Sequence, residues 1–182
     1  MTQTIIQTGD PVLRELARPV DKVEILSAPM QCLIQAMKET MWAAPGVGLA
    51  APQIGESLQI IVIEDKKEYH QGATQEQLQA RERFPVPLHV IINPVLTIES
   101  AEYVQFYEGC LSVKDFVGMV PRARNVKVEG LNEKGEPITI RAYGWYARIL
   151  QHEFDHLQGM LYVDRMDTRT FSTMENYFMN CP

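Results

Sequence analysis

Three side chains in one short stretch can do chemistry together. In Gln151-His152-Glu153-Phe154-Asp155-His156 two imidazoles stand four residues apart, with a carboxylate directly after the first. Residues four apart share a helix face, so His152 and His156 can present two nitrogens to one metal ion. Glu153 is close enough to work on a water held by that ion without being a ligand itself. That is the minimal kit for metal-assisted hydrolysis. The competing reading is two partly buried histidines bonded to backbone groups. The pairing at i, i+4 with Glu153 between them favours the metal.

A third ligand must be thiolate, imidazole or carboxylate. His70 lies in a polar stretch and is expected on the solvated surface. His89 begins a strand after Pro87, has no companion, and is expected to be a structural histidine with its bonds satisfied. Cys32 falls in a helical stretch away from its apolar stripe, and Cys181 is the penultimate residue; both read as bystanders. Cys110 sits between Gly109 and Leu111, where a strand meets a loop and a side chain can be aimed at a cleft. It is the best candidate for the third ligand, and a Cys-His-His set with an open fourth position is a catalytic arrangement.

The small-residue run Gly46-Val47-Gly48-Leu49-Ala50-Ala51-Pro52-Gln53-Ile54-Gly55 lacks both the Walker lysine and the Rossmann spacing. Its Gly48, Ala50 and Ala51 leave a backbone edge that a peptide can approach closely. Gln53 carries an amide that could donate to an oxyanion.

The elements that must position these groups follow from periodicity. Ser27 is a plausible helix N-cap with Pro29 in the first turn, and Met30, Leu33, Ile34, Met37 and Met41 fall at helical spacing until Pro45-Gly46. Leu58 to Ile63 reads as a buried strand. Residues 65–87, rich in Gln, Glu and Lys, read as a surface insertion with a short helix around Gln75 to Arg83. His89 to Ile92 and Val95 to Ile98 read as short strands broken at Asn93-Pro94, and Tyr103 to Glu108 leads into the Cys110 stretch. Alternation at Val126 and Val128, the turn Asn132-Glu133-Lys134-Gly135, and alternation at Ile138 and Ile140 make a hairpin. From Gly144 to Leu157 the period turns helical, with Trp145, Ile149, His152 and His156 on one face and Gly159 placed to end it. A helix, many strands and then the histidine helix, without βαβ alternation, predict an α+β fold. Antiparallel or mixed β-sheets should wrap around a central helix that carries the HExxH motif. One domain over 1–182 is expected, with 65–87 as its insertion and 167–182 as a C-terminal tail.

With 46% hydrophobic and 22% charged residues the chain is not disordered as a whole. Its net charge of -6 argues against direct, specific nucleic-acid binding. Three widely spaced cysteines fit a reducing compartment better than a disulfide scaffold. Met1 to Thr8 has neither the basic segment nor the apolar core of a signal peptide. Leu58 to Ile63, the longest aliphatic run, is far too short to span a bilayer, so no membrane association is expected. A bacterial-type cytoplasmic location is the expectation; a mature organellar enzyme would look alike.

Taken together, Gly46 to Gln53, Glu108-Gly109-Cys110-Leu111-Ser112 and Gln151 to His156 resemble, in order and approximate spacing, the three motifs of the peptide deformylase family. The resemblance runs from about Ile6 to Met166. It implies an α+β fold with one divalent metal, Fe2+ foremost and Zn2+, Ni2+ or Co2+ as alternatives. It implies removal of the formyl group from the initiator methionine of nascent polypeptides, with release of formate. By motif, Cys110, His152 and His156 would hold the metal, with water in the fourth position. Glu153 would take the proton of that water as it attacks the formyl carbonyl, and return it to the leaving amine. Gln53 and the backbone N–H of Leu111 would stabilise the oxyanion. The backbone around Val47, Gly48 and Gly109 would pair with the substrate as an added strand, and Val47, Leu111 and Ile149 would suit a methionine side chain. The implied partners are N-formylmethionyl peptides and nascent chains, with transient ribosome contact left open.

The chain also departs from the pattern. After Ser112 many members continue with a proline and then a basic residue, whereas here the run is Val113-Lys114-Asp115-Phe116-Val117-Gly118. The 65–87 insertion exceeds the minimal pattern and resembles the branch that includes organellar members. Two other functions stay open at this point: a zinc endopeptidase of the HExxH type, and a catalytically silent metal-binding or ribosome-associated module. The first normally takes a histidine or glutamate ligand downstream of the motif, and no histidine follows His156. The second needs neither Glu153 nor Gln53.

Overall fold

Ile60 to Ile63 are apolar without alternation, and that pattern requires a strand covered on both faces. The computed structural model describes residues 1–180 and bears this out. The chain runs through a 3₁₀ turn at Pro11–Arg14, a one-turn α1 (Lys22–Ile25), α2 (Ala28–Ala43), β1 (Gly48–Ala50) and β2 (Ile60–Asp65). It continues with α3 (Gln75–Ala80), β3 (Val86–Ile98), β4 (Tyr103–Cys110), β5 (Val113–Ala123), β6 (Asn125–Leu131) and β7 (Pro137–Tyr143). The histidine helix α4 (Gly144–Leu157) follows, and then β8 (Ser172–Thr173) and α5 (Met174–Asn180).

Among the described residues β1-β2-β3-β6-β7 form one sheet and β4-β5-β8 another, with every neighbouring pair antiparallel in both. The expected α+β class with antiparallel sheets is what the chain adopts. Alternation along β2 sends Ile61 and Ile63 to one face, where Ile91, Val126 and Val128 join them against Leu150 and Leu157 of α4. Ile60 and Val62 go to the other, with Val90 and Ile92, against Met30, Ile34, Met37 and Met41 of α2. Each such side chain contributes about 1.5–3 kcal/mol by leaving water. Among the described residues no helix is long and apolar enough to cross a membrane.

Several expectations are met residue by residue. Ser27 Oγ accepts from the Met30 N–H at 3.4 Å and so caps α2. His89 has both ring nitrogens engaged, with the Pro87 carbonyl and the Tyr146 hydroxyl, each at 2.8 Å. Cys32 is exposed; Cys181 lies outside the described residues.

Two readings need correction, and one strand lies outside the readings made. β3 is one strand rather than two, because Asn93 takes up the irregularity in a left-handed conformation (φ 52). Its side-chain amide bonds both the N–H and the carbonyl of Val20 at 2.8 Å, which offsets that backbone cost. β5 has no clear sequence signal, since Pro121, Gly118 and the bulge at Lys114 to Phe116 interrupt it, yet it pairs along β4 from Tyr103↔Ala123 to Cys110↔Val113. His70 is buried, not solvated, and its ring lies 3.1 Å from Asp65. The stretch after β2 does contain the expected short helix. It is tied down where it returns, by paired bonds from Arg83 to Asp65 at 2.8 Å.

The N-terminal residues cross the mouth of the molecule. Ile6 N–H donates to the Gln53 carbonyl and Thr8 N–H to the Ser112 carbonyl, both at 2.8 Å, while the Gln7 amide reaches the Leu111 carbonyl at 2.9 Å.

The histidine helix stops where Gly159 turns left-handed (φ 69), beneath the chain at Arg14. A Cβ there would sit 2.6 Å from the Arg14 carbonyl oxygen. Gly159→Ala should therefore lower the unfolding free energy by about 2 kcal/mol, read from the urea midpoint at unchanged m. An unchanged midpoint would mean that the turn at Arg14 yields freely.

Candidate metal centre

Gln151 fixes how α4 lies on β5. Its side chain accepts from the Ala123 N–H at 3.1 Å and donates to the Ala123 carbonyl at 2.8 Å, so the helix cannot rotate without losing both. With that register His152 and His156 meet Cys110 at the end of β4. One donor atom from each of the three lies within 4.8 Å of the others, and Cys110 Sγ is 3.3 Å from His156 Nε2.

The ring of His152 is oriented from behind. Its Nδ1 lies 2.9 Å from Glu108 Oε2, which leaves Nε2 for the centre. Glu108 also accepts two bonds from Arg122 at 3.0 Å and one from Arg148 at 2.6 Å. Arg122 reaches on to Asp155, which in turn accepts two bonds from Arg165 at 2.6 and 2.7 Å. Burial alone would raise the pKa of Glu108, but the bond from His152 and the charge of Arg122 outweigh it and hold the carboxyl well below its ordinary range. Burial likewise disfavours a proton on His152, yet neighbouring Cys110 and Glu108 prevail and draw its pKa well above the usual value. His156 goes the other way, depressed by burial and by the charge of His152.

One thiol and two imidazole nitrogens on a rigid helix and strand end are a donor set that fits a divalent transition metal.

Glu153 lies beside this centre with 4% of its surface exposed. Burial raises its pKa to about 7, against the lowering effect of a charged His152. Its carboxylate occupies the space a side chain at Gly48 would need: an added Cβ would overlap it. Glycine at 48 is thus required by close approach, not by backbone conformation. Gln53 is oriented through its oxygen, which accepts from the Ala50 N–H at 2.9 Å. Its amide nitrogen consequently faces Ser112 Oγ at 3.3 Å and Cys110 Sγ at 3.5 Å.

These groups border a cavity of about 330 Å³. Val47, Gly48 and Gln53 form one wall, Gly109, Cys110 and Leu111 the other, and Ile149, His152 and Glu153 the floor. The structure thus brings together every residue singled out as a ligand, base, oxyanion donor or substrate contact. His70, near the start of the insertion, lies instead beside Asp65.

Glu108, Arg122, Arg148 and Asp155 are what sequence reasoning left out. For Glu108 a signal existed: it stands two residues before Cys110 on a strand, hence on the same face. For the arginines nothing local marks the role, because the contacts join distant parts of the chain.

The model of the polypeptide deformylase family matches residues 2–172. Over 172 residues the chain is 52% identical to peptide deformylase 1A, chloroplastic/mitochondrial, of Arabidopsis thaliana, covering 94% of this chain and 64% of that protein. Human mitochondrial peptide deformylase is 41% identical over 170 residues, 93% of this chain and 70% of the relative. The chain thus spans somewhat under two thirds of the Arabidopsis protein's length. Among solved structures, the Met-Ala-Ser-bound class I type b peptide deformylase of Acinetobacter baumannii superposes with a TM-score of 0.80 at 35% identity, covering 91% of this chain and 99% of that one. The resemblance carried by the three motifs extends to sequence and fold over nearly the whole described chain, which belongs to the polypeptide deformylase family.

Proposed function

We propose that this chain is a metal-dependent hydrolase that removes the N-formyl group from formyl-methionine at the start of nascent polypeptides, releasing formate. The observation that carries this is the convergence of Cys110, His152 and His156, with Glu153 and the Gln53 amide turned toward the same point. Cys110, His152 and His156 would hold a divalent ion, with Fe2+ preferred and Zn2+, Ni2+ or Co2+ compatible with the same donors. When bound, the ion supplies a Lewis acid that acidifies water and polarises a carbonyl.

The chain's own groups do the rest. Glu153 takes the proton from the attacking water at a carboxylate oxygen and delivers it to the departing amine. A carboxyl whose pKa burial raises to about 7 is suited to both halves of that transfer near neutral pH. Gln53, fixed through its oxygen, donates an amide N–H to the oxyanion, joined by the backbone N–H of Leu111. The backbone of Val47, Gly48 and Gly109 takes the peptide as an added strand, and Ile149 accepts the methionine side chain. Glu108 is a positioning residue that acts through His152.

The relatives' names support a formylated peptide end as substrate, and the Met-Ala-Ser bound to one of them supports recognition of a peptide that begins with methionine. Neither an internal endopeptidase nor a silent metal-binding module finds support among them. We further propose that residues 1–182 work as one catalytic unit, with 65–87 as an insertion and 167–182 as its tail. A bacterial-type cytoplasm is the proposed location, and contact with the ribosome is transient.

Glu153→Ala should retain the metal, measured by elemental analysis after anaerobic purification, while formate release from formyl-Met peptides drops by about 10²–10⁴-fold. Undiminished turnover would sink the mechanism. Cys110→Ala should lose the metal itself, and a fully loaded, active variant would refute its assignment as ligand. Glu108→Gln should weaken metal affinity by about 10- to 100-fold in a chelator competition, since His152 loses the carboxylate that orients it.

A further inference from the structure

β4 is a free edge of its sheet and β1 a free edge of the other, and both border the cavity that holds Cys110 and Glu153. A peptide laid along β4 must turn successive side chains to opposite faces of that sheet. β4 itself shows what each face offers. Phe106 and Glu108 point toward α4, the first with its ring 6.0 Å from that of Trp145 and the second bonded to His152. Tyr107 points the opposite way, its ring 4.6 Å from Tyr177 of α5.

The segment covering this opposite face is held by pairing: Phe116↔Thr173 and Val117↔Ser172 join β8 to β5, and Phe116 stacks on Phe171 at 4.9 Å. It delivers Met174, the first residue of α5, to the rim of the same cavity. Met174 remains 41% exposed there although its neighbours are in place.

We propose that Met174, together with Tyr107, forms a subsite for the side chain of the second substrate residue, the one after formyl-methionine, and selects apolar side chains there. The inference rests on the deformylase reading. If the methionine side chain turns to the α4 face, where Trp145 and Ile149 lie, alternation sends the next one to the Met174 face. An unbranched thioether adapts to side chains of different shape, so the subsite grades by apolar area rather than fitting one residue.

The test compares formate release from formyl-Met-Ala-Ser and formyl-Met-Leu-Ser by the metal-loaded enzyme. The wild type should favour the leucine peptide about fivefold in kcat/KM, mainly through KM, the size expected of a partly exposed apolar contact. Met174→Ala should bring that ratio to about one, and Met174→Leu should keep it, which separates lost contact from damage to the fold. A wild-type ratio of about one, or an undiminished ratio in Met174→Ala, overturns the subsite and leaves the deformylase reading standing. Absence of formate from both peptides with the wild type removes both.

Discussion

A carboxylate with 6% of its residue exposed would ordinarily take up a proton rather than stay charged, and the centre of this molecule depends on Glu108 not doing so. Two guanidinium groups and one imidazole surround it. Removing one partner from such a buried pair costs about 3–5 kcal/mol, so the four side chains stand or fall together. The arrangement also fixes distant parts of the fold relative to one another. Glu108 belongs to β4, Arg122 to β5, and Arg148, His152 and Asp155 to α4, so one charge network sets the height of the helix over the sheet. Gln151 sets its rotation through Ala123. The positions of the proposed ligands follow from these two constraints.

Much of this was legible in the chain itself. The helix from Gly144 to Leu157 could be read at both ends, because Gly144 and Gly159 bracket an apolar face that the histidines continue. α2 was legible for the same reason, a clear period over enough residues, and β2 through an unbroken, strand-length apolar run. β5 was not, since its hydrophobic positions are interrupted by a bulge and a proline and its stability comes from pairing with β4 and β8. His70 misled because a polar neighbourhood in sequence says little about a neighbourhood in space; Asp65, five residues earlier, draws it inward. At the site, the proposed ligands, base and amide announced themselves by type and spacing. The groups that orient them did not, apart from Glu108, because an ion pair between remote segments leaves no local trace.

The cleft is a product of the two-sheet architecture. Each sheet ends in an unpaired edge, and the edges of β1 and β4 face the same cavity rather than bulk solvent. An open edge is normally a liability for association with other chains. Here the short β1, the close fit of Gly48 against Glu153 and the cover of α5 leave room for little more than one extended segment.

Residues Ile6 to Thr8 give that cleft a property its walls lack. Gln53 belongs to one wall and Leu111 and Ser112 to the other, and the same three residues are bonded to both. The Glu108 network and Gln151 hold the β4-β5 sheet to α4, and the N-terminal bonds add a direct tie between the two walls. Tied at one end, the walls behave as a caliper locked at a set gap. Under the proposed deformylase reading, a gap of fixed width would be what admits a small acyl group, and the residues that tie it lie more than forty positions before Gln53.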